Sequence, residues 1–272
     1  MWMGRSDGSD TGAGSVVVTS SMTTSATTVV ELEGVSFDPD YLFYPTMLPA
    51  GMELCGPASG QSARFCLSGE VARLTVQVQE ISATRMDSGA AVQGWPTAKW
   101  FELGETTTLG VHIEGVIGLT ITAGGVPEEQ LVAIARSIPL VGQTDLFELD
   151  MTDPLDPWVS IPDEAVAAIL GIDVSEVYRG DSGWVPRTNT ANLRLLMDSS
   201  PSLLSYAATL RYPQVIEGVG VPAVGGMGTG SQEQVSRISW SQRGLVWTIQ
   251  SNQSLESLTE MVRSAVEVIS TI

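Results

Sequence analysis

The run from Gly118 to Ser137, GLTITAGGVPEEQLVAIARS, is written a second time in other residues from Val246 to Ser264, VWTIQSNQSLESLTEMVRS. A chain that spells a ribbon, a short turn and a helix ending in Arg-Ser twice has few folds open to it. Each copy must bury one face of a strand under one stripe of a helix. In the first copy Ile117, Leu119 and Ile121 alternate with Gly118, Thr120 and Thr122; in the second Leu245, Trp247 and Ile249 alternate with Val246, Thr248 and Gln250. Pro127 opens one helix and Ser254 caps the other, and Glu128, Glu129 and Glu256 favour the positive ends of the helix dipoles. Leu131, Ile134, Ala135 and Ile138, and then Leu258, Met261, Val262, Ala265 and Ile269, form the matching apolar stripes.

The expected fold is therefore α+β, with two similar modules that each lay a C-terminal helix on an antiparallel sheet. Upstream, the strand-like LTVQVQEIS from Leu74 is matched with LLSYAATLRY from Leu203, the Val-Gln-Gly at Val92 with the Val-Gly-Gly at Val224, and His112 with Trp240. The expected boundaries are a Ser/Thr/Gly-rich tether over 1–32, a first module over 33–143, an acidic linker over 144–161 and a second module over 162–272. The stretch from Thr144 to Glu164 holds seven carboxylates and three prolines, which reads as solvated chain; PDEAVAAILG from Pro162 reads as a short helix stopped by Gly171. The tether suggests a signal peptide or membrane anchor preceding Met1.

Charge narrows the partners. Thirteen basic against 31 acidic residues leave a formal charge of −18, which repels nucleic acid and anionic lipid and favours basic partners. Cys55 and Cys66, the only cysteines, flank turn-forming GPASGQSARF and fit opposite positions of one hairpin. A bridge there stabilises by roughly 2 to 3 kcal/mol and belongs in an oxidising compartment, so the expected location is extracytoplasmic, secreted or tethered at the cell envelope. With one histidine, His112, no metal site and no cofactor are expected.

Two motifs suggest chemistry that their surroundings do not support. Gly180-Asp181-Ser182-Gly183 matches four residues around the nucleophile of chymotrypsin-like proteases, but His112 lies in an unrelated context, so the motif reads as a turn. The six glycines between Gly218 and Ser231 lack a phosphate-loop ending and read as a flexible loop able to act as a lid. Paired carboxylates at Asp38 and Asp40, and at Glu128 and Glu129, fit a turn and a helix start. No catalytic residue is assigned. Trp95, Trp100, Trp158 and Trp184 sit in loop-like contexts and are the candidate ligand-binding residues, as stacking platforms for a peptide or glycan.

Tyr44 to Leu54, YPTMLPAGMEL, resembles the entry segment of extracytoplasmic modules in sporulation lipoproteins and anti-sigma-factor ectodomains, related to lipoprotein carriers and the MucB/RseB type of regulator. The resemblance covers about Tyr44 to Leu140. It implies a curved antiparallel sheet carrying helices, secretion or tethering, and binding or sensing rather than catalysis; it carries over no functional residue. The expected function is thus a non-enzymatic binding or sensor protein that recognises a protein, peptide or apolar ligand through a sheet surface or the groove between modules. The alternatives are a secreted hydrolase acting through Ser182 or through carboxylates, and a cell-wall or glycan-binding module.

Overall fold

A computed structural model describes residues 31–37, 41–55, 62–67, 73–103, 106–114, 117–142, 148–156, 161–188, 191–199, 202–228 and 234–272. The chain is α+β, built mainly from antiparallel sheet. Strand β1 (Leu32–Gly34) pairs with β2 (Met47–Pro49), and the chain turns at Gly51 into the first large sheet. That sheet comprises β3 (Met52–Leu54), β4 (Ser62–Leu67), β5 (Arg73–Glu80), β6 (Ala90–Val92), β7 (Trp95–Leu103), β8 (Thr106–Glu114) and β9 (Ile117–Ala123). Helix α1 (Ala83–Ser88) lies between β5 and β6, and α2 (Glu128–Arg136) and α3 (Pro139–Gly142) follow β9.

Helix α4 (Asp163–Leu170) ends on a left-handed Gly171, as the sequence predicts. After a 3-10 turn at Val174–Glu176 comes the second sheet: β10 (Val177–Gly180), β11 (Gly183–Pro186), β12 (Arg194–Asp198), β13 (Arg211–Val215), β14 (Ala223–Met227), β15 (Ser236–Gln242) and β16 (Leu245–Ser251). Helix α5 (Leu203–Ala207) lies between β12 and β13, and α6 (Leu255–Ile269) follows β16. The orders are β3-β4-β5-β9-β8-β7-β6 and β10-β11-β12-β16-β15-β14-β13. Counted within each sheet, both run first, second, third, seventh, sixth, fifth, fourth.

The strands form where the alternation predicts, and they bury the predicted face. Leu119 and Ile121 meet Val111 and Leu109 on β8 beneath α2, while Trp247 and Ile249 meet Trp240 and Ile238 on β15 beneath α6. Trp240 and Trp247 stack at 6.4 Å between ring centroids. Leu131, Ile134 and Ala135 face inward from α2; Leu258, Val262, Ala265 and Ile269 do so from α6.

Three upstream equivalences need correction. Leu203–Ala207 is helix α5 and answers α1, so the partner of β5 is β12. Ser202 at the N-cap accepts the Leu204 N–H, and this local hydrogen bond favours a helix over the extended reading. The residues that answer Val92-Gln93-Gly94 are Ile216-Glu217-Gly218, because both runs lead from the end of the fourth strand to a positive-φ glycine in the turn to the fifth. Val224 already lies inside β14, the fifth strand. His112 faces Gly118, and the position facing Val246, the counterpart of Gly118, is Ser241; Val111 is the residue that answers Trp240. A bulge at Ile113 causes this one-residue slip, which puts His112 on the opposite face from the tryptophan.

The glycine-rich stretch is likewise not a plain loop, since residues 223–227 form buried β14. A Cβ at Gly226 would stand 2.7 Å from the Arg211 carbonyl oxygen, so the crowded approach of β13 requires glycine there. Residues 229–233 and the Asp38/Asp40 pair lie outside the described residues.

Candidate functional site

Cys55 and Cys66 form the predicted disulfide across the β3–β4 hairpin, with Cα atoms 5.7 Å apart. Among the described residues there is no cluster of three potential metal ligands, and no helix is long and apolar enough to cross a membrane. Ser182 sits exposed in the two-residue turn between β10 and β11, and His112 sits on β8 of the other sheet. Glu128 and Glu129 occupy the first turn of α2, where the helix dipole accounts for them.

The candidate tryptophans separate. Trp95 and Trp100 are half-buried at the two ends of one stretch of β7, packed against the first core, with the Arg136 guanidinium 5.1 Å above the Trp95 ring. Trp184 is only 2 % exposed and packs in the second core, so it presents no open ring for stacking. Trp158 lies outside the described residues.

The groove expected between the halves is a packed seam. Leu203, Leu204 and Ala207 of α5, with Val224 and Val246, belong to the same core as Leu42, Phe43 and Leu140 of the first half. The Leu42 N–H donates to the Pro213 carbonyl at 2.7 Å, and the Tyr41 and Tyr212 rings lie 5.1 Å apart. The void left there is about 10 Å³, the space of a single water molecule.

The acidic linker is also pinned. The Asp150 N–H donates to Ser241 Oγ at 2.6 Å, the Gly244 N–H donates to the Asp150 carbonyl and the Leu155 N–H donates to the Arg243 carbonyl, so residues 150–155 strap the β15–β16 turn. Arg243 adds bonds from Nε to the Asp153 carbonyl at 3.0 Å and from Nη2 to the Asp153 carboxylate at 2.9 Å. Burial alone would raise the Asp150 pKa, but hydrogen bonds from the Thr152 N–H, the Thr152 hydroxyl and the Arg243 N–H outweigh it and hold it below the ordinary value. A cleft of about 270 Å³ opens beside the strap, lined by Asp150, Asp153, Gln242, Arg243 and Ser270.

The repeated Arg-Ser has a role that the sequence did not disclose. Arg136 Nη2 donates to the Gly94 carbonyl at 3.2 Å, and Arg263 Nε donates to the Gly218 carbonyl at 3.1 Å. Both glycines have positive φ, 71° and 75°, in the connection between the fourth and fifth strands. Each arginine thus ties its helix to the same turn of its own sheet.

The sheets differ most on the face turned away from α2 and α6. In the first sheet Thr122 stands between Thr75 and Thr108, and Thr108 and Thr122 share a hydrogen bond at 3.0 Å. Gln79 Nε2 donates to Thr120 at 2.9 Å on the same face. In the second sheet the same register places Gln250 between Arg194 and Arg237. Ser239 and Thr248 bond each other at 2.8 Å one step along, but Gln250, at 3 % exposure, makes no side-chain hydrogen bond among the described residues. Arg237 is half-buried, its Nε is enclosed without a partner, and neither arginine meets a carboxylate among the described residues. Burial and the nearby Arg194 charge both lower the Arg237 pKa.

No motif marked Arg194, Gln250 and Arg237 in advance; aligning the two copies strand by strand, with the bulge at Ile113 allowed for, is the signal that finds them. Comparison with protein-family models, with curated proteins and with solved structures finds no match for this chain.

Proposed function

We propose that the chain is one folding unit written twice and fused through a packed seam, and that it works as an extracytoplasmic binding or sensor protein whose recognition surface is the Arg194–Gln250–Arg237 end of the second sheet's far face, beyond the part that Val224 and Val246 bring into the seam. The shared strand order and the paired Arg136 and Arg263 clamps support the duplication. The disulfide supports an oxidising compartment.

The observation that carries the binding role is the contrast at matched register. Enclosed hydrogen-bonding groups without partners cost stability, about 1 to 3 kcal/mol each. A fold that fills this position with threonines in one copy retains in the other Arg237, whose enclosed Nε has no partner, beside the buried Gln250 and the exposed Arg194. A ligand that supplies the missing acceptors explains that retention. The partner engages the end of that face beyond the seam, where Arg194 is exposed.

The test is capture from a native envelope fraction by the full chain, with Arg194→Glu and, at the equivalent strand position of the first sheet, Thr75→Glu. Capture should vanish with Arg194→Glu and persist with Thr75→Glu. Equal capture by both variants would overturn the assignment of the face.

A further inference from the structure

We infer that Arg194, Gln250 and Arg237 form a binding site for a compact, doubly charged oxyanion, a phosphate group or a dicarboxylate. This rests on the binding role proposed above and names the chemistry of what is bound. Neighbouring strands lie about 4.8 Å apart, so the two arginine Cα atoms stand about 10 Å apart with Gln250 midway between them. That separation lets two guanidinium forks converge from either side on a group seated over the Gln250 amide.

Charge balance favours a dianion. Two guanidinium charges share this patch, no carboxylate among the described residues faces either of them, and a monoanion would neutralise only one. Asp198, the acidic residue on the same face of β12, accepts the Tyr206 hydroxyl at 2.7 Å and is directed elsewhere. Donors are well matched to oxygen acceptors: the Arg237 Nε–H is enclosed without a partner, a guanidinium can only donate, and the Gln250 amide adds an N–H₂ beside it. An overall charge of −18 disfavours an extended polyanion, so the anionic group must be compact.

The first sheet provides an internal control. Thr75, Thr122 and Thr108 occupy the same positions, bring no charge, and close part of their hydrogen bonding internally. Nothing in that arrangement holds an anion.

The experiment titrates the full chain at low ionic strength with inorganic phosphate and, separately, with succinate, followed by calorimetry and by the Arg237 Nε–Hε resonance in NMR. The expected result is saturable 1:1 binding of one or both anions, movement of that resonance, and at least a roughly tenfold weakening in Arg194→Ala and in Gln250→Leu. The conservative Arg237→Lys guards against misfolding: it keeps the charge, loses the fork, and should weaken binding while the circular dichroism is unchanged. Phosphate alone or succinate alone binding assigns the oxyanion. No saturation by either at millimolar concentration, or saturation unchanged in the variants, overturns the inference. Should partner capture still depend on Arg194 while neither anion binds or competes, the ligand chemistry is wrong and the recognition face stands.

Discussion

The two sheets answer the same packing problem with the same strand order and differ in the polar groups on the face turned away from the C-terminal helix. In the first sheet, hydroxyls and amides on that face bond one another: Thr108 to Thr122, Gln79 to Thr120. In the second, larger side chains fill the helix side, with Trp240 and Trp247 where the first sheet has Val111 and Leu119, and two arginines flank Gln250 on the far side. The difference teaches where to look for function when two sheets share one strand order. Under the proposed reading, positions that agree between the halves, such as the clamps from Arg136 and Arg263, serve the fold, and positions that diverge, such as Arg194, Gln250 and Arg237, serve binding.

The largest expected effect separates the cores. Trp247→Ala should destabilise by about 3 to 5 kcal/mol and the equivalent Leu119→Ala by about 2 to 4, both side chains being fully buried. Chemical denaturation followed by far-UV circular dichroism measures both. Because α5 belongs to the first-sheet core, each variant should shift a single cooperative transition. Two separated transitions would show that the seam does not couple the halves.

Next in size is the covalent asymmetry, since only the first sheet carries a disulfide. Removing it with Cys55→Ala and Cys66→Ala should cost about 2 to 3 kcal/mol, read as a fall in melting temperature that reducing agent also produces in the unmodified chain and not in the variant. The strap is the second sheet's own device. Arg243→Ala should cost about 1 to 2 kcal/mol, mostly through lost bonds to the Asp153 and Ile269 carbonyls, since the Asp153 carboxylate is exposed and screened.

The strap also gives stability a pH dependence of definite sign. Folding lowers the Asp150 pKa, so its contribution is complete above the ordinary carboxylate value of 3.8 and is lost as pH falls through the lower folded value. Asp150→Asn should flatten the acid limb of a stability-against-pH curve. The smallest effects are those of the clamps: Arg136→Ala and Arg263→Ala should each cost about 0.5 to 1 kcal/mol, similar in the two halves. Markedly unequal values would mean that the two bonds are not equivalent parts of one design.

Legibility in the sequence followed the strength of the local signal. The β9 and β16 alternation, the α2 and α6 stripes, the α4 stop at Gly171 and the Cys55–Cys66 hairpin each depend on residues near one another, and each was readable. Leu203–Ala207 misled because an apolar run of that length suits a strand or a helix, and Ser202 decides it by one capping bond. His112 misled because a bulge is invisible to ungapped matching and inverts every face beyond it. The pinned linker was unreadable because its partners, Ser241 and Arg243, lie some ninety residues on. The far-face triad comes from three strands, and only the sheet order brings it together.

The most direct test of the account exchanges the triads. Replacing Arg194, Gln250 and Arg237 together by threonine, the residue found at all three equivalent positions of the first sheet, should leave far-UV circular dichroism and cooperative unfolding intact while abolishing both partner capture and oxyanion binding. Binding that survives the exchange, or a second sheet that no longer folds without those three side chains, would contradict it.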